Sequence, residues 1–213
     1  MTSPSAAGPP RLFLLSPAHC GGERARLVFN PEARFDLAVR LRSAEGATLA
    51  EAFTFMSGLY FRGKIAYALH FARPPQGVPG VLVITPTEGL RLHNERVDLE
   101  RLHGFAQVDI ARDDPRYRRP LLRDASALAA HVDAACEIVL LGSVATGKYV
   151  DVLTKVFGPR LLFPSAFVGR GDMSRGGLLL RCARDDRELD YVPLLGAVRH
   201  GPRPPRLAPV RWK

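Results

Sequence analysis

The sequence predicts an α/β protein, with a mostly parallel central sheet flanked by helices in a single domain. Three apolar runs carry this prediction, at residues 12–16, 81–84 and 138–141. Each is too continuously hydrophobic for a strand with one wet face, so each reads as a strand buried on both sides. Between them lie segments whose apolar residues recur at helical spacing, the alternation expected when helices cover a parallel sheet. At 213 residues, with 46% hydrophobic and 24% charged residues, the chain has the length and apolar content for one core rather than for disorder.

Residues 1–10 are small, polar and proline-containing, and are expected as a flexible leader. An α/β domain at 11–195 and a basic, proline-rich tail at 196–213 follow. The first strand ends at Ser16 and passes into turn residues that include Pro17, Gly21 and Gly22. Helical spacing appears at 34–42, through Phe35, Leu37, Ala38 and Leu41, and at 48–56, through Leu49, Ala52, Phe53 and Met56. At 57–64, Gly58 and Gly63 surround two aromatic rings and two cations, which reads as a shaped loop able to stack a base and hold a phosphate with Arg62 and Lys64. Packing of Tyr60 and Phe61 beneath a solvated Arg62 and Lys64 is the equal alternative. A third helix at 63–72 stops before Pro74. Strand 81–84 leads into residues 85–90, a helix spans 117–132, and its alanine-rich end feeds the strand at 138. Further strands are expected at 160–163 and 178–182.

In an open α/β sheet, ligands bind beyond the carboxyl ends of the strands. The loops expected there are 16–22, 85–89, 142–148 and 169–177. The third is the most informative, because Gly142 to Lys148 fits the G-x-x-x-x-G-K portion of a phosphate-binding loop. A complete motif needs Ser or Thr next, to place a hydroxyl on magnesium. This chain has Tyr149, so a magnesium-dependent triphosphatase is not expected. What the loops share is small residues and hydroxyls that can hold a phosphate or sugar. The candidate ligand-binding residues are Ser16, Arg62, Lys64, Thr85, Thr87, Gly142, Ser143, Thr146, Gly147, Lys148, Arg170, Ser174 and Arg175. Glu88 and Asp172 are the catalytic candidates, as loop carboxylates that could orient a water or move a proton. Their structural alternatives are turn stabilisation for Glu88 and an ion pair with Arg170 or Arg175 for Asp172.

The net charge of +9 is compatible with phosphorylated or nucleoside-like small molecules and with DNA or RNA. Lysine occurs only at Lys64, Lys148, Lys155 and Lys213, so the excess is arginine. The tail contributes Arg199, Arg203, Arg206 and Arg211 without an acidic residue, and its prolines bar regular helix. Trp212 is a candidate anchor. Cys20, Cys136 and Cys182 are odd in number and widely spaced, which argues against a disulfide framework and for a cytoplasmic location. Cys20 beside His19 is weighed as a nucleophile but reads better as structural. His93, His103, His131 and His200 have no ligand spacing, so no metal is expected, and the sequence specifies no cofactor and no protein partner. The apolar run before Cys20 is too short for a signal segment, and no run is long enough for a membrane span.

The ordered motifs Phe13-Leu14-Leu15-Ser16, Leu59-Tyr60-Phe61-Arg62-Gly63-Lys64, Leu82-Val83-Ile84-Thr85-Pro86-Thr87-Glu88-Gly89-Leu90, and Val139-Leu140-Leu141-Gly142 followed by Lys148-Tyr149-Val150 resemble an uncharacterised bacterial family. That family is distantly similar to the YaaA-type peroxide-stress proteins and to small domains associated with archaeosine transglycosylases. The resemblance spans roughly residues 11–182. It implies an α/β sandwich and points toward nucleic-acid biology, and it transfers no catalytic residue. Thr85-Pro86-Thr87 departs from the Ser-Ala-Lys type of turn in the distant relatives. The combined expectation is a bacterial protein that binds a nucleotide, nucleoside or nucleic-acid component, as a hydrolase or transferase. The alternatives are a noncatalytic nucleic-acid-binding protein and an interaction module in a stress or defence system.

Overall fold

Strand β1 (Arg11–Leu15) is the axis around which the chain is organised. Its residues alternate between the two faces of a sheet, Leu12 and Leu14 to one side, Phe13 and Leu15 to the other, and all four are fully buried. Burial on both faces is why no polar residue interrupts the run. The computed structural model describes residues 8–111 and 113–208; the candidate anchor Trp212, with Pro209, Arg211 and Lys213, lies outside the described residues.

β1 pairs in parallel with β3 (Val81–Thr85) on one side and with β6 (Glu137–Leu141) on the other. β7 (Leu161–Pro164) extends the parallel set beyond β6, while β4 (Gly89–Leu92) and β8 (Tyr191–Pro193) close the edges as antiparallel strands. The order is β4-β3-β1-β6-β7-β8. A two-residue ribbon joins β2 (Ala47–Thr48) to β5 (Arg96–Val97). After β1 the chain builds one side of the sheet, then returns to build the other, so the carboxyl ends of β1 and β6 flank a topological switch point.

Two helical layers complete the fold. One face carries α1 (Glu23–Phe29), α2 (Asp36–Arg42), α3 (Leu49–Ser57), α4 (Leu59–Phe71), α5 (Leu99–Ala106) and α8 (Asp172–Arg184), packed on Phe13 and Leu15. The other carries α6 (Pro115–His131) and α7 (Gly147–Phe157), packed on Leu12 and Leu14. Local chemistry fixes the helix starts. Thr48 and Glu51 form a capping box on α3, Asp98 caps α5, and Asp114 caps α6 with Pro115 in its first turn.

Four sequence expectations are corrected. Residues 57–64 form no shaped loop: Gly58, with φ of 58°, breaks the chain between α3 and α4, and Leu59 onward is helical. Gly63 serves a helix crossing instead. A Cβ there would sit 2.6 Å from the Gly176 carbonyl oxygen, and one on Gly176 would sit 2.6 Å from the Leu59 carbonyl oxygen. The glycines that read as loop signals at 63 and 176 therefore let α4 and α8 touch backbone to backbone. By the same logic 169–177 is a short turn followed by α8. Residues 178–182 continue that helix rather than forming a strand, with Leu178, Leu179 and Cys182 buried on one helical face. Finally, residues 85–89 are a hairpin turn into β4 and not a strand-to-helix loop.

Candidate functional site

At the carboxyl end of β1 the Ser16 N–H donates to the Leu141 carbonyl at 3.0 Å, which holds the loop after β1 against the end of β6. Gly142 follows, and only glycine fits there. An added Cβ would lie 2.7 Å from the Tyr149 hydroxyl and 2.9 Å from the Ser16 Cβ. The glycine at the head of the near-P-loop motif thus brings Ser16 and Tyr149 together at the switch point.

Lys64 reaches this place from α4. It is 1% exposed, and its Nζ donates to the Ser16 carbonyl at 2.6 Å and meets the Ser16 Oγ at 2.9 Å. The ammonium lies 4.6 Å from the Tyr60 ring centre and 4.7 Å from that of Phe61. Among the described residues no carboxylate forms an ion pair with it. Burial pushes the Lys64 amine down to about 7, with only the more distant charge of Asp172 acting the other way. Burial likewise pushes the Tyr149 phenol up to about 12, against the opposing pull of the Ser16 hydroxyl and the Ser143 N–H.

Above this floor lies a pocket of about 730 Å³, walled by Ser16, His19, Tyr60, Ser143, Lys148 and Asp172 among others. The segment from Phe105 to Ile110, at the end of α5 and just beyond it, also lines the pocket. The pocket is therefore built by the β1 loop, the α4 start, the β6–α7 loop and the α8 start. The Tyr60 hydroxyl is buried in this lining. Burial pushes its phenol up, and the neighbouring Arg175 guanidinium moderates that rise.

The predicted residues divide. Ser16, Ser143, Lys148 and Asp172 line the pocket, and Lys64 lies directly beneath it. Arg175 is buried behind the wall, where its guanidinium donates to the Phe167 carbonyl at 3.3 and 3.2 Å and pairs with Asp172 at 3.2 Å. It positions the α8 start rather than facing the cavity. Gly147 opens α7, and Thr146 precedes it, exposed and without a side-chain capping bond. Arg62 points to solvent on the outer side of α4.

The hairpin does not come to the site as the loop reading expects. Only Pro86 reaches the pocket wall; Thr85 is fully buried with its hydroxyl donated to the Gly89 carbonyl at 3.0 Å, and Thr87 is not among the lining residues. Glu88 instead accepts from Arg101 and Arg91. Burial pushes its carboxyl up, but those two guanidinium groups outweigh it and hold Glu88 below the usual carboxylate range. That is the turn-stabilising role, and it leaves Asp172 as the predicted carboxylate that lines the pocket, together with Asp109.

Arg170 and Ser174 face elsewhere. With Arg181, Arg203, Arg206 and Leu207 they line a separate groove of about 350 Å³ against which the tail lies. Among the described residues no carboxylate is part of that lining. Cys20, weighed as a nucleophile, borders the main pocket, but burial pushes its thiol up to about 12, which keeps it protonated and inert. Among the described residues no group of histidines, cysteines and carboxylates could hold a metal ion.

Tyr60 and Tyr149 are the site residues that the sequence reading undervalued. Tyr149 registers in sequence only as a mismatch to the P-loop, yet its place seven residues after Gly142 sets its hydroxyl against that glycine. The fold and this pocket define an open α/β protein with a polar site at the switch point of its sheet. No protein-family model, curated protein or solved structure matches the chain, so the class rests on its own architecture. No helix among the described residues is long and apolar enough to cross a membrane.

Proposed function

We propose that the switch-point pocket binds a phosphorylated nucleotide or nucleoside component and that the protein acts on it as a hydrolase or transferase. The observation that carries this reading is the grouping of Lys148, at the first turn of α7, with the Ser143 and Ser16 hydroxyls on one wall of a pocket of nucleotide size. Lys148 and the start of α7 supply positive potential, the hydroxyls suit phosphate or ribose oxygens, and Asp172 is available to a ribose hydroxyl or a water. Titration calorimetry with a panel of nucleoside monophosphates tests it. Binding weakened about tenfold or more by Lys148→Ala supports the reading, given the strength of charge-assisted hydrogen bonds. Absence of binding by any of the panel, or indifference to both Lys148→Ala and Ser143→Ala, counts against it.

A second reading, a nucleic-acid-binding protein, is favoured by the arginine groove. Arg170, Arg181, Arg203 and Arg206 share it with the apolar Leu59 and Leu207, a combination suited to the phosphates of a phosphodiester strand. Along α8, Ser174 to Arg181 spans about 10 Å, longer than a single phosphate. Single-stranded oligonucleotide affinity should then fall steeply with salt, and the slope should flatten in Arg203→Ala/Arg206→Ala. An unchanged slope in that double variant speaks against this reading and leaves the pocket as the binding site.

A further inference from the structure

We propose that Ser16 is a nucleophile activated by Lys64, and that it forms a covalent intermediate with a phosphate ester held in the pocket. The choice of phosphorus as the electrophile rests on the nucleotide reading above; the activation of Ser16 rests on its own geometry. Three observations support it. The Lys64 Nζ is 2.9 Å from the Ser16 Oγ, within reach for direct proton transfer. The Ser16 side chain borders the cavity on its other side. The lysine is sealed from solvent without a carboxylate in ion-pair contact among the described residues, an arrangement that stabilises a neutral amine over an ammonium.

A neutral Lys64 keeps one N–H on the Ser16 carbonyl and turns its lone pair to the Ser16 hydroxyl. An ammonium, by contrast, donates to both oxygens and quenches the nucleophile. The titratable groups around the pair and the pocket it borders are Asp172 and Arg175 from α8, Lys148 and Tyr149 from α7, Tyr60 from α4, Asp109 after α5, and His19 and Cys20 after β1. Asp172 and Arg175 largely offset each other through their ion pair.

The chemistry balances with water as the only co-reactant. Lys64 takes the Ser16 proton as Oγ attacks phosphorus, and the bond from phosphorus to the leaving alkoxide breaks. That alkoxide takes a proton from a pocket water, and the hydroxide so formed attacks the phosphoserine. The Oγ–P bond breaks and Ser16 recovers its proton from the Lys64 ammonium. Lys148, which lines the pocket, neutralises charge on the phosphoryl oxygens.

The test uses the full chain with a fluorophosphonate, which loses fluoride on forming an O–P bond, and maps the adduct by peptide mass spectrometry. A nitrophenyl ester of a nucleoside monophosphate reports the burst of the first step. Labelling of wild type at Ser16, none in Ser16→Ala, and labelling at least about 100-fold slower in Lys64→Met support the proposal. So does a rate that rises up to about tenfold per pH unit below about 7 and levels above it. Thermal melting establishes that the variants fold, and Lys64→Arg, which keeps a cation but cannot give up its proton, serves if Lys64→Met does not. No adduct at Ser16 in folded wild type overturns the proposal. Labelling at Ser16 that ignores pH or both lysine variants overturns the role of Lys64, and turnover of nitrophenyl acetate without a phosphoester burst overturns the electrophile. If Ser16 is labelled but no nucleotide binds, the nucleotide reading fails and the activated serine stands; nucleotide binding without labelling gives the reverse.

Discussion

Strand β1 has a buried cation at each end, and the two are treated in opposite ways. At the amino end, Arg11 lies between carboxylates. Its Nε donates to Glu137 at 2.7 Å, another of its nitrogens contacts Glu188, and Glu188 also pairs with Arg73 at 3.2 Å. Burial pulls the Arg11 guanidinium down, but Glu137 and Glu188 outweigh it and the charge is held more firmly than in water. At the carboxyl end, Lys64 is more deeply buried and has hydroxyl and carbonyl oxygens and aromatic faces, but no ion-paired carboxylate among the described residues. One cation is neutralised by its surroundings and ties β1 to β6 and to the segment before β8. The other can shed its charge, which is of use only where a proton must move.

The largest expected effect follows from cutting the neutralised end. Arg11→Met leaves Glu137 without its guanidinium partner and Glu188 with Arg73 alone, and denaturant unfolding should show a loss of about 3 kcal/mol. The same substitution at the other end, Lys64→Met, should act with the opposite sign. The folded value near 7 lies below the 10.5 of a free lysine, so between those pH values the unfolded chain binds a proton that the folded chain does not. Wild-type stability therefore carries the full penalty below about pH 7 and recovers as pH rises toward 10.5, by at most about 1.4 kcal/mol per pH unit. Lys64→Met should equal or exceed wild type at pH 6 by about 1–3 kcal/mol, with its advantage fading by pH 10. Equal losses from both variants at pH 6 would erase the distinction between the two cations.

The two ends also differ in how far the sequence reveals them. The apolar runs at β1, β3, β6 and β7 are legible because each is short, continuous and bounded by turn residues, and the mostly parallel sheet follows; the run at 178–182 misleads because a buried helix face gives the same signal. Ser16, Ser143, Lys148 and Asp172 are legible because each lies just past a strand or at a helix start. Lys64 is visible as an unusual residue, but its burial depends on Gly63 and Gly176 allowing two helices to touch. A glycine gives the same signal for a loop as for a close crossing. Glu88 misleads for a related reason, since the sequence shows a carboxylate in a turn after a strand but not Arg101, which arrives from a helix thirteen residues on. The β8 edge and the Glu188 pairing are invisible, because no periodicity marks a three-residue strand.

Gly142→Ala sharpens the contrast at the carboxyl end alone. The new methyl group must displace the Tyr149 hydroxyl or the Ser16 side chain, and both are packed. Calorimetry should record a loss of about 1–2 kcal/mol, typical of overpacking. Retained wild-type melting together with an unaltered rate of Ser16 modification would mean that the two side chains give way freely, and that the close approach at Gly142 does not hold the site.

The smallest effect separates two buried tyrosines. Tyr67 belongs to the neutralised end: its hydroxyl lies 2.6 Å from that of Tyr191 and accepts the Leu189 N–H at 2.8 Å, so Tyr67→Phe leaves a backbone donor and a phenol short of a partner. That should lower stability by about 1–2 kcal/mol with no change at Ser16. Tyr149→Phe removes a hydroxyl that borders Ser16 and the Ser143 N–H, residues which also line the pocket. Its stability loss should be under about 1 kcal/mol, because Ser16 and Ser143 line an open pocket that water can enter, whereas Tyr67→Phe removes the partner of both a backbone N–H and a second phenol. What Tyr149→Phe should change is the reaction of Ser16, by freeing its hydroxyl to rotate away from Lys64. A variant with wild-type melting and a slowed Ser16 modification rate would assign Tyr149 to positioning that hydroxyl. A large stability loss with an unchanged rate would place it with Tyr67 as part of the frame.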